Sequence, residues 1–104
     1  MGKIKWTEKA SIHLHAIHGY IAGDSKTYAT RFIKSLIKAT NKLGIMPLCG
    51  RIVPELESYS FREVIYRNYR IVYRLTDDGI VEILAVVHGA REIKRVFYEE
   101  WELH

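Results

Sequence analysis

Cysteine and proline are scarce in this chain, with one of the first and two of the second among 104 residues. The lone Cys49 excludes an internal disulfide, so a packed core must hold the fold. Cysteine and histidine are not spaced as zinc ligands, and neither a metal nor an organic cofactor is expected. No apolar run approaches the roughly 20 residues that cross a bilayer. The opening residues Met1 to Trp6 lack the apolar stretch of a secretion signal, so no membrane association and a cytoplasmic location are expected. Acidic residues are also rare in the first half. Residues 1–50 hold eight Lys or Arg against two acids, and residues 51–104 hold eight against ten.

The basic type changes along the chain as well. Seven of eight lysines precede Asn68, whereas seven of eight arginines fall between Arg51 and Arg95. A guanidinium offers a planar fork suited to phosphate or carboxylate, so the second half is the expected recognition surface although its net charge is slightly negative.

What is abundant is β-branched and aromatic residues between Phe61 and Val87. Phe61 to Tyr66 and Tyr69 to Leu75 are separated by Arg67-Asn68 alone, a spacing suited to a tight hairpin, and Asp77-Asp78-Gly79 turns the chain into Ile80 to Val87. A three-stranded antiparallel meander follows. With a two-residue loop Tyr66 pairs with Tyr69, Ile65 with Arg70, Glu63 with Val72 and Phe61 with Arg74. One face then carries Val64, Tyr66, Tyr69, Ile71 and Tyr73 and can receive helices. The other carries Glu63, Arg70 and Arg74 beside Phe61, Ile65 and Val72, a poor composition for a core. Two arginines beside one carboxylate suggest an open hollow for an anion, or else a cross-strand ion pair on a wet surface.

Ahead of the meander, Lys3 to Trp6 alternates as a short edge strand and Thr7 can cap a helix over Glu8 to about Ile21, with Ala10, Leu14, Ile17 and Ile21 on one stripe. His13, His15 and His18 are expected on its solvated face. Asp24 or Ser25 caps a second helix to about Leu43, with Tyr28, Ala29, Phe32, Ile33, Leu36, Ile37 and Thr40 as its stripe and Gly44 as its stop. The two should form an antiparallel hairpin. Ile45 to Glu57 reads as an irregular connection, and Arg91 to Trp101 as a short helix or ordered tail. The fold class is α+β in one domain over residues 1–104.

The strings GRIVPEL, FREV, NYRIVYR, VEILAVVHGAR and a following FY, in this order behind a helical hairpin, resemble the RelE/ParE superfamily of toxins from bacterial type II toxin–antitoxin modules. The resemblance covers nearly the whole chain. It implies a sheet wrapped by the helical pair and a cognate antitoxin as protein partner, with a toxin homodimer as a further expectation. RelE-like members cut mRNA on the ribosome, and ParE-like members poison DNA gyrase.

By that resemblance Arg70 and Arg91 match the two arginines that hold the scissile phosphate in the ribonuclease members. The lysine pair of those members falls at Phe61 and Glu63, and their C-terminal tyrosine at Phe97, with Tyr98 one residue on. Cleavage would need a base, a cationic cradle and an acid. Glu63 could be the base and His88 the acid, but strict alternation from the turn places His88 on the face away from Arg70 unless the Gly89 region bulges. Arg51, Arg62, Arg74, His88 and Tyr98 are the further candidates for phosphate or target contact. VPEL and HGAR lean toward the ParE-like branch, so a gyrase-binding toxin is expected, with a ribosome-dependent endoribonuclease as the alternative and a toxin reduced to antitoxin binding as the second.

Overall fold

The computed structural model describes residues 2–89 and 91–96. Strand β1 (Ile4–Trp6) leads into helices α1 (Glu8–Ala22) and α2 (Lys26–Lys38). A short strand β2 (Arg51–Ile52) precedes the meander β3 (Arg62–Tyr66), β4 (Tyr69–Leu75) and β5 (Val81–His88). Both helices start where a side-chain oxygen can accept a free amide. Thr7 accepts from the Ala10 N–H and Ser25 from the Tyr28 N–H. Helix α2 stops at Lys38, short of Leu43, and a separate 3-10 turn spans Asn41–Gly44. Thr40 sits just past the break. Its hydroxyl donates to the Ile37 carbonyl at 2.7 Å, drawing on an acceptor near the helix end.

The sheet has five strands in the order β1-β5-β4-β3-β2. The expected meander forms its middle, and the β3–β4 register is the expected one from Tyr66↔Tyr69 to Glu63↔Val72. Two features are new. Strand β1 pairs parallel with β5, and the connection taken as irregular supplies β2, antiparallel to β3.

The helices cover one face with Ala10, Ile17 and Leu36 against Val64, Ile71, Tyr73, Val81, Ile83 and Val86. Burying a side chain such as Leu36 contributes roughly 2–3 kcal/mol. The opposite face corrects the sequence reading: it carries a second core. Val53, Leu56, Val72, Leu84, Ala85, Val87, Ile93 and Val96 pack there, with Phe61 at their margin. Two segments supply the cover, a 3-10 turn at Pro54–Leu56 and the stretch 93–96. Composition of the strands alone could not reveal a lid brought in from either flank.

A β-bulge decides which face the end of β5 presents. Arg74 pairs with Glu82 and Tyr73 with Ile83, but Val72 pairs with Ala85, leaving Leu84 as the extra residue. Counted from Arg74↔Glu82 without interruption, His88 would share the face of Arg70. The extra residue moves it to the face of Tyr69, its partner across the strands. His88 thus lies away from Arg70 as expected, for a different reason.

Candidate functional site

Arg70 was expected to project into an open hollow, and it does not. Its side chain is only 10% exposed and is gripped by two carboxylates. The Nε and Nη2 groups donate to Glu63 at 2.6 and 3.0 Å, and Nη1 and Nη2 donate to Glu55 at 2.8 Å each. Glu63 is itself wholly covered, and it also accepts the Nε of Arg51 at 2.6 Å. Two carboxylates and two guanidinium groups close a neutral cluster, which is how the second core tolerates a buried arginine stem. The pair resembles the anticipated cross-strand contact, but it is buried instead of wet.

The electrostatics follow from this grip. Hydrogen bonds from Arg70 pull the Glu55 carboxyl down to about 2. Those same bonds, from Glu55 first and Glu63 next, hold the Arg70 guanidinium still more firmly protonated.

The other basic candidates are dispersed. Arg51 lies at the edge of the cluster with its side chain 62% exposed. Arg62 ties down the segment before β2 by donating to the Leu48 and Gly50 carbonyls. In the same corner the Tyr73 hydroxyl donates to the Pro47 carbonyl and accepts the Gly50 N–H. Only glycine fits at position 50, since a Cβ would stand 2.6 Å from both the Glu63 carbonyl and the Tyr73 hydroxyl. Arg74 makes a half-exposed cross-strand pair with Glu82 at 2.8 Å. Tyr98, with Phe97 and Trp101, lies outside the described residues.

Arg91 and His88 belong to a different place. They border a cleft of about 590 Å³ between α1 and the end of β5, together with His13, Tyr20, Asn68 and Tyr69. Arg70, the other arginine matched by resemblance, is not among the residues that line this cleft. The rings of Tyr69 and His88 meet edge to face at 5.3 Å and 87°. Burial, and the neighbouring Tyr20 after it, push the Tyr69 phenol up, so it stays protonated.

His13 was missed as an inward-facing residue. Beyond Trp6 strand β1 no longer pairs with β5, and the Val86 N–H donates to Nδ1 of His13 at 3.1 Å. The available signal was its place three residues after Ala10 and four before Ile17, on the flank of the buried stripe. His15, by contrast, is exposed as expected, and His18 is half-buried with its Nε2 3.2 Å from the Thr30 hydroxyl. No group of three or more potential metal ligands occurs among the described residues. Nor is any helix among them long and apolar enough to cross a membrane.

Residues 4–93 match the model of the ParE toxin of the type II toxin–antitoxin system parDE, and the chain belongs to that family. Its fold is similar to a chain of the chromosomal ParDE system from P. aeruginosa, with a TM-score of 0.70 and 20% identity over 85% of this chain and 96% of the other. It is also similar to a chain of the toxin–antitoxin complex RelBE2 from Mycobacterium tuberculosis, with a TM-score of 0.62 and 23% identity over 84% of this chain and 96% of the other. No curated protein sequence matches the chain significantly. The protein is a type II toxin–antitoxin toxin of the RelE/ParE superfamily.

Proposed function

We propose that this toxin acts in the ParE manner, by binding DNA gyrase, and does not cut mRNA. The observation that carries the reading is how Arg70 is engaged. Both forked edges of its guanidinium, Nε with Nη2 and Nη1 with Nη2, donate to carboxylates, so four of its five N–H groups are taken and neither edge is left to clamp a scissile phosphate. Glu63 fits a base equally badly, being covered and already accepting from two arginines. His88 lies on the far face from both. The lysines of the ribonuclease members are replaced by Phe61 and Glu63. What remains is a charged exterior with Arg51 and Arg74 at its surface, suited to protein contact. A cognate antitoxin would neutralise it, as the complexes formed by its structural relatives suggest.

Supercoiling by purified gyrase provides the test. The reading expects inhibition that grows with added toxin and disappears when the antitoxin is premixed. Unimpaired supercoiling at a large molar excess, with cuts in translated message mapped by primer extension, would replace it with the ribonuclease reading.

A further inference from the structure

The cations left without a carboxylate lie in the half of the chain that the arginine count does not favour. Beyond residue 50, Arg51, Arg70, Arg74 and Lys94 each pair with a glutamate, and Arg62 holds two carbonyls. Helix α2 carries Lys26, Arg31, Lys34 and Lys38 and no acid in its whole length. None of these four pairs with a carboxylate among the described residues.

The helix also stands proud of the fold. Ala29, Phe32, Ile33 and Leu36 turn inward, and every other residue of α2 is exposed. At 3.6 residues per turn those exposed side chains sweep about 200° of the helix, from Lys26 round to Tyr28. Arg31, Lys34 and Lys38 fall within about 60° of one another, directly opposite Ala29 and Leu36, and span about 10 Å along the axis. They form a single outward ridge.

The make-up of that ridge selects its partner. The centres of protein interfaces are rich in aromatic anchors and poor in lysine, whereas the only uncharged residue on this ridge is Thr27. Tyr28 and Ile37, the exposed apolar residues of α2, stand about 90° away on either flank. No ring therefore lies on the ridge for a base to stack against, which disfavours a single strand. A duplex presents one negative charge for about every 1.7 Å of its axis, enough to meet all three cations within their span. With its side chains a helix is about 10–12 Å across, which the roughly 12 Å major groove of B-form DNA admits and the narrow one of A-form RNA does not. Helix α2 holds neither Asn nor Gln to read a base edge, so its contacts go to phosphates.

We infer that α2 is a contact surface for duplex DNA, with Arg31, Lys34 and Lys38 on the phosphates and no dependence on base sequence. Gyrase takes no part in this contact, so it stands or falls apart from the gyrase reading.

Fluorescence anisotropy of a short labelled duplex, titrated with the full chain free of antitoxin, provides the test. A Kd between about 1 and 100 µM at physiological salt is expected, equal within about threefold for two unrelated sequences. The logarithm of the association constant should fall against that of the salt concentration with a slope of about −3. Lys34→Gln combined with Lys38→Gln should weaken binding at least about tenfold and flatten the slope by about 2. Both side chains are exposed, so the melting temperature should hold. Arg67→Gln combined with Lys94→Gln removes the same charge from exposed positions outside α2 and should leave the affinity within about threefold. Equal losses in the two double variants would reduce the binding to attraction by the net charge of +4 and overturn the assignment. No saturation at about 1 mM chain, or tighter binding to single-stranded DNA or to duplex RNA, would overturn it as well.

Discussion

Arg70 and Glu63 are joined by a short charged hydrogen bond of 2.6 Å, and each is buried to a degree that makes it dependent on the other. Removing Glu63 as Glu63→Ala leaves a guanidinium stem inside the second core with one of its two carboxylates gone. A loss of about 3–5 kcal/mol in urea unfolding is expected. Arg74→Ala, which removes a half-exposed pair, should cost under about 1 kcal/mol in the same experiment. Reduced growth inhibition by Arg70→Ala would then arise from a smaller folded fraction, visible as a lower urea midpoint.

Glu55 gives a pH signature at the same scale. Its carboxyl is held at about 2 in the folded chain against 4.5 as the reference, so the folded state favours the ionised form. That stability is complete above about pH 4.5 and is lost as the pH falls toward 2. Because the side chain is 41% exposed, solvent screening reduces the contribution to about 1 kcal/mol. Urea midpoints of Glu55→Gln between pH 5 and pH 2.5 should therefore fall less steeply than those of the parent. The Arg70–Glu63 contact was legible because cross-strand geometry puts the two side chains on one face. Glu55 was not, since it lies fifteen residues away in a turn whose path depends on packing.

Among elements, the two helix starts were readable because an N-cap is a local contract between an oxygen and an amide three residues on. Ser25→Ala should cost about 1 kcal/mol by thermal or urea unfolding. The connection between α2 and β3 was not readable, since its order comes from elsewhere. Tyr73 reaches from β4 to bind Pro47 and Gly50, and Arg62 from β3 binds Leu48 and Gly50. Gly50→Ala should therefore cost at least about 2 kcal/mol despite the mildness of the substitution, because both neighbours that a methyl would meet are fixed. The bulge at Leu84 was equally hidden. Nothing in the alternation of Val81 to His88 marks one extra residue, yet it decides whether His88 faces Arg70 or Tyr69.

For the whole molecule, the five-stranded sheet with a core on each face forms a small body, with a radius of gyration of 13.4 Å. Expression without antitoxin should slow growth and raise the fraction of relaxed plasmid, and co-expression of the antitoxin should restore both. Topoisomer gels from the same cultures read the two outcomes together.

The sequence alone determined the helical hairpin, the central register and the family, because caps, tight turns and alternation act between residues close along the chain or directly opposite in a hairpin. Tertiary structure decided whether the arginines were available. Arg70 is consumed by a carboxylate that the Pro54–Leu56 turn delivers, and Arg91 borders the cleft beside α1 with His88 and His13. Charge and type belong to a residue, but the groups that compete for its donors are chosen by the path of the rest of the chain.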